Sequence, residues 1–134
     1  MTANQVIKQI DHVNIRIADI EASLKFYTEI LGFEYVTQRD MRPTANSVST
    51  YVRHGGVVIE LAWGHDLSKC APAGIVDHFC LEVHDIREAM AYFKEKKVNI
   101  VSDIIPVNLM FLCFFITGPS GEKIEIIQYL SDET

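Results

Sequence analysis

The sequence predicts an α+β fold assembled from two copies of one βαβββ module, and three observations carry that reading. Residues 11–20 (DHVNIRIADI) lie over residues 77–86 (DHFCLEVHDI), so that Asp11, His12, Asp19 and Ile20 match Asp77, His78, Asp85 and Ile86. Both stretches alternate apolar and polar residues, which is the period of a strand with one apolar face. Both are followed by apolar residues at close to 3.6 spacing, the period of an amphipathic helix.

The elements follow in order. Val13, Ile15 and Ile17 alternate with His12, Asn14 and Arg16 in the first strand, and Phe79, Leu81 and Val83 alternate with His78, Cys80, Glu82 and His84 in its counterpart. Asp19 and Asp85 are placed to cap the helices that come next. Ile20, Leu24, Tyr27 and Leu31 form the apolar stripe of the first helix, which is expected to stop at Gly32. Ile86, Ala89, Met90 and Phe93 form that of the second, where Lys94, Lys96 and Lys97 suit the negative end of the helix dipole. Three strands are expected after each helix: 34–39, 47–53 and 57–63 in the first copy, and 99–105, 109–117 and 123–129 in the second. His54, Gly55 and Gly56 read as the turn of the first copy's hairpin, and 118–121 (GPSG) as that of the second. The whole is one domain over 1–134, with repeats at about 8–63 and 74–130 and a linker of roughly 64–74.

Composition limits the partner. The chain has 134 residues, 49% of them hydrophobic, enough for a real core. Eighteen acidic residues against twelve basic ones leave a net charge of -6 with no basic run, the opposite of a nucleic-acid or anionic-membrane binder. The longest apolar stretch, 104–116, is too short to span a bilayer and is interrupted by Pro106 and Asn108. The first ten residues lack the pattern of a secretory signal, and three cysteines without a Cys-x-x-Cys suit a reducing cytoplasm. A small molecule is the expected partner.

The repeat also locates chemistry. His12 answers His78, and Glu60 in VVIELA answers Glu125 in EKIEIIQ. Read singly, each is an ordinary polar strand residue. Repeated together, two imidazoles and two carboxylates make a mixed N/O donor set suited to Zn, Ni, Co or Mn. Glutamates flanked by Ile59 and Leu61, or by Ile124 and Ile126, need a partner if they are buried, and a metal ion is an effective one.

On these residues, DHVNIRIADIEASLKFYTEILGF, VVIELAWG, DHFCLEVHDI and GPSGEKIEIIQ, the chain resembles the vicinal oxygen chelate superfamily over about 8–130. That superfamily includes glyoxalase I, methylmalonyl-CoA epimerase, fosfomycin-resistance proteins and extradiol dioxygenases. The resemblance implies two βαβββ modules forming a partly open barrel around one divalent metal, held by His12, Glu60, His78 and Glu125. The full His, Glu, His, Glu set is most similar to glyoxalase I. It implies a lyase or isomerase that shifts a proton beside a carbonyl through an enediolate, with Glu125, or Glu60 as the alternative, moving the proton. Arg16 matches an arginine that contacts a substrate carboxylate, and a homodimer with shared sites is implied. The segment 60–64 reads ELAWG, without the asparagine that glyoxalase I carries just after this glutamate, which counts against glutathione as the thiol. Residues 41–59 contain no Asp or Glu, which disfavours a two-base epimerase, the enzymatic alternative. A noncatalytic binder of the bleomycin-resistance kind is the other.

The remaining polar and aromatic residues read as structural. Met110, Phe111, Leu112, Phe114 and Phe115 are expected in the core and pocket wall. Cys80 and Cys113 are expected as buried small hydrophobes, His54 and His65 in exposed loops, and His84 near a strand end with the parity of His78.

Overall fold

The computed structural model describes residues 2–6, 8–9, 11–40, 42, 47–64, 67, 78–107 and 109–130. The chain packs as two compact units, Met1–Leu67 and Ser68–Thr134. Most of the expected linker lies outside the described residues, with His65 and Cys70 in it.

The first unit opens with a one-turn helix, α1 (Ala3–Val6), which the sequence pattern does not announce. It continues with β1 (Val13–Ile17), α2 (Ile20–Lys25), β2 (Glu34–Asp40), β3 (Val48–His54) and β4 (Val57–Trp63). Its sheet has the order β1-β4-β3-β2, with β1 parallel to β4 and the other pairs antiparallel. Asp19 caps α2 by accepting from the Ala22 N–H at 3.1 Å. The expected α-helix does not run on to Gly32. A π-helical turn over Phe26–Ile30 takes its place, closed by the Leu31 N–H on the Phe26 carbonyl, before Gly32 turns at φ +78°. The wider turn buries the adjacent rings of Phe26 and Tyr27 together, each worth about 1.5–3 kcal/mol of apolar burial.

The first hairpin departs from its expected form in a way that matters for the site. Only Gly55 and Gly56 form the turn, with Gly55 at φ +59°, and His54 is the last residue of β3, exposed and paired with Val57. A two-residue turn with positive φ matches the twist of the strands it joins. It also sets Tyr51 opposite Glu60, whereas the three-residue turn read from sequence would have moved every residue of β3 by one place and turned the wrong face inward. Both central strands are buried on both sides: Val48, Ser49, Thr50, Tyr51 and Val52 in β3, and Ile59, Glu60, Leu61 and Ala62 in β4.

The second unit repeats the plan: β5 (Phe79–Glu82), α3 (Ile86–Glu95), β6 (Asn99–Ile100), β7 (Ile105–Val107), β8 (Phe111–Thr117) and β9 (Lys123–Tyr129). The sheet runs β5-β9-β8-β6, β7 also pairing with β8, and β5 is parallel to β9 as β1 is to β4. Asp85 caps α3 by accepting from the N–H groups of Arg87 and Glu88. The single strand expected over 99–105 is two short ones, because Ser102 leaves the ladder and its hydroxyl accepts from the Phe115 N–H at 3.0 Å. Leu109 and Met110 stand before β8 in a turn, both exposed, so the expected core run begins at Phe111 and is centred on the fully buried Phe114. Among the described residues no helix is long and apolar enough to cross a membrane.

Candidate functional site

Cross-strand register, more than sequence proximity, builds the site in each unit. In the first, Asn14 on β1 stands opposite Glu60 on β4, which stands opposite Tyr51 on β3. Residues paired across a sheet share a face, so the three side chains meet on one surface. His12 lies one residue before β1, and its Nε2 is 3.0 Å from Glu60 Oε1. The ring's other nitrogen, Nδ1, is 2.8 Å from Asp11 Oδ2, a contact the sequence pattern gave no reason to single out. A carboxylate on Nδ1 fixes the orientation of an imidazole whose Nε2 does the binding.

Glu60 is only 6% exposed, and its second oxygen is satisfied from its own unit. Ser49 Oγ donates to Oε2 at 2.5 Å and the Tyr51 hydroxyl at 3.1 Å. Burial alone would raise this carboxyl above its ordinary range. The hydrogen bonds from Ser49, Asn14 and Tyr51, with the nearby His12, outweigh it and hold the group below, so Glu60 is kept as an anion. Tyr51 is pushed the other way, by burial first and then by Glu60 beside it.

The second unit places its own pair in the same way. His78 lies one residue before β5, with Nε2 3.1 Å from Glu125 Oε1. Cys80 on β5 and Phe115 on β8 are the cross-strand neighbours of Glu125, in the places that Asn14 and Tyr51 hold around Glu60. The aromatic neighbours match too: His12 meets Tyr51 edge-on at 5.9 Å, and His78 meets Phe115 edge-on at 5.8 Å. Cys113 is buried as expected. Cys80 is not: it sits on an edge strand with an exposed surface, on the polar face beside Glu125. Partial burial of its sulfur, and then the Glu125 carboxylate, push the Cys80 thiol up to about 12, so it stays an S–H that donates weakly to Glu125.

The donor chemistry of the first unit fits a cation. In the tautomer that donates its Nδ1–H to Asp11, the His12 imidazole turns a lone pair toward Glu60, and the two acceptors repel unless a proton or a positive ion lies between them. Two donors each about 2.1 Å from one divalent ion stand about 3.0 Å apart at the right angle of an octahedron and about 3.4 Å apart at the tetrahedral angle. The two His–Glu distances are 3.0 and 3.1 Å. Among the described residues no three His, Cys, Asp or Glu side chains come together, and each unit brings one His–Glu pair. Arg16 is exposed on β1, opposite Ala62, two residues from Asn14 and therefore on the face of Glu60. His84 follows β5 as an exposed residue.

The likeness to known proteins follows the same outline. Residues 9–126 match the family described as the glyoxalase/bleomycin resistance protein/dioxygenase superfamily. An uncharacterized protein of Bacillus subtilis, YwbC, is 35% identical over 129 residues, covering 90% of this chain and 98% of that one. A lactoylglutathione lyase of Neisseria meningitidis is 28% identical over 127 residues, covering 91% of each. The trypanothione-dependent glyoxalase I of Leishmania major shares the fold with a TM-score of 0.75 at 24% identity, over 91% of this chain and 87% of that one. A family match over most of the chain, both His–Glu pairs within it, means that this chain belongs to the glyoxalase/bleomycin resistance protein/dioxygenase superfamily.

Proposed function

We propose that this chain is a divalent-metal-dependent lyase or isomerase of the glyoxalase I type, shifting a proton between adjacent carbons beside a carbonyl. The observation that carries it is the His–Glu contact made once per unit at one place in the fold. Relatives named lactoylglutathione lyase support it. His12, Glu60, His78 and Glu125 would hold one ion, with Ni, Co and Zn best suited to the donors and Mn also accommodated. A divalent ion there supplies Lewis acidity toward the substrate's oxygens.

The chain's own residues do the rest. Glu125 takes the proton from the carbon beside the carbonyl and returns it to its neighbour. Glu60 is the alternative, but its bonds to Ser49 and Tyr51 tie it in place, whereas the thiols beside Glu125 are weak donors that release it cheaply. Asp11 holds His12 in orientation, and Arg16 meets a carboxylate of the substrate. Purified protein is expected to carry about one divalent ion per ligand set, and the His12→Ala, Glu60→Gln double variant to lose most of it. Metal content by mass spectrometry that is unchanged in that variant would refute the ligand assignment.

The ligand set is further proposed to be shared across a twofold dimer, His12 and Glu60 from one chain and His78 and Glu125 from the other. A heterodimer of His12→Ala and Glu125→Gln chains then contains one site with both lesions and one with neither. Equimolar mixing with full subunit exchange is expected to restore about a quarter of the tight metal binding, because about half of the dimers are then heterodimers and one of the two sites in each is intact. Subunit exchange seen by native mass spectrometry with no such recovery would sink the shared site.

A further inference from the structure

Two guanidinium groups of the first unit are paired with carboxylates. Arg42 is paired with Asp40 at 2.8 Å and Arg53 with Glu34 at 3.4 Å. Arg39, exposed on β2, has no carboxylate within ion-pair distance among the described residues. Its guanidinium lies over the Tyr51 ring, 4.9 Å from the centroid, and the hydroxyl of that ring donates to Glu60. The cation is therefore fixed one side chain away from the His12–Glu60 pair.

Register makes the placement definite. Arg39 pairs with Ser49, Ser49 with Ala62, and Ala62 with Arg16, so the four form one row across the sheet. The row lies next to that of Asn14, Glu60 and Tyr51 and on the same face, two residues along each strand. Its middle is made of two small residues, and its ends are two arginines on the edge strands. Three strand spacings of about 4.8 Å put those ends about 14 Å apart. Stacking on an aromatic face holds a guanidinium still while leaving its in-plane N–H donors available, the arrangement that grips a carboxylate through two bonds. On a chain with a net charge of -6, such a cation is a local exception that draws anions to this face.

We propose that Arg39 binds an anionic group of the substrate beside the His12–Glu60 pair and makes the protein selective for carboxylate-bearing compounds. This rests on the reading of that pair as part of the active site. Two unreactive probes of one size test it: S-benzyl-N-acetylcysteine, which carries a carboxylate, and its carboxamide, which does not. Calorimetric titration of the metal-loaded protein is expected to give at least about tenfold tighter binding of the carboxylate, the worth of a charge-assisted hydrogen bond. Arg39→Gln is expected to reduce that preference at least about threefold, Arg16 supplying what is left, Arg39→Lys to reduce it less, and Arg42→Gln to leave it whole. Equal binding of the two probes, no binding of the carboxylate, or an unchanged preference in Arg39→Gln overturns the proposal. Turnover of 2-hydroxycarbonyl adducts is scored separately: no turnover with the preference intact strikes the lyase reading alone, and turnover without the preference strikes Arg39 alone.

Discussion

The two units share a backbone plan and a His–Glu contact, yet surround their glutamates with different chemistry. Around Glu60 stand Asn14, Ser49 and Tyr51, all oxygen or nitrogen donors. Around Glu125 stand Cys80 and Cys113, whose thiols are weak donors, and Phe115, which has none. The histidines, rings and strand pairings correspond one for one, so the backbone cannot account for the difference. What differs is how firmly each carboxylate is held. One unit surrounds its carboxylate with strong donors and the other with weak ones, the difference that the proposed roles of ligand and proton carrier would require.

The sharpest way to break this comparison is to remove each carboxylate in turn. Glu60→Ala strands several donors at a buried position and is expected to destabilise the metal-free protein by about 2–4 kcal/mol. Glu125→Ala strands chiefly His78 and is expected to cost about 1 kcal/mol or less, since lost bonds to weak donors are cheap. Chemical denaturation of both variants decides it. Equal costs would mean that the donors around Glu60 do not hold it more firmly than the thiols hold Glu125.

A smaller and more informative change exchanges the aromatic neighbours. Tyr51→Phe takes from Glu60 the hydroxyl that Phe115 does not offer to Glu125, at an expected cost of about 1–2 kcal/mol. Phe115→Tyr gives Glu125 a hydroxyl donor. If Glu125 carries the proton, pinning it should lower kcat about tenfold or more with metal content unchanged, the size of a disturbed acid–base step. A kcat reduced by Tyr51→Phe and untouched by Phe115→Tyr would transfer the role to Glu60.

Much of this was legible in the sequence because it repeats. Strands 57–63 and 123–129 have the bounds read from alternation, and the matched His and Glu residues meet in pairs within their units. The donors around Glu60 were not legible, because finding them needs register. Reading His54 as part of the turn shifts β3 by one residue and hides Tyr51 and Ser49 on the far face, whereas Gly55-Gly56 alone would have exposed them. The π-turn left no signal, since its apolar residues keep the spacing of an α-helix until Tyr27. Asp11 was visible only as half of a repeated Asp-His. Arg39 required the order of four strands.

The smallest expected effect tests whether Arg39 is available at all. Asp40 follows it directly, and the Asp40 carboxyl is held at about 2, chiefly by the Arg42 side chain and then by the Arg42 N–H. A carboxylate whose pKa is lower folded than unfolded adds stability above the unfolded value of 3.8, and that contribution fades as pH falls toward 2. The pair is exposed and screened by water, so the readout is the residue and not the unfolding midpoint. Carbon-detected NMR titration is expected to place Asp40 near 2 and, in Arg42→Gln, to move it back toward 3.8. Arg39→Gln should leave it where it was. If instead Arg39→Gln moves it, then Arg39 is engaged with Asp40, Arg16 is the one arginine of the row left to meet a substrate anion, and the role proposed for Arg39 falls.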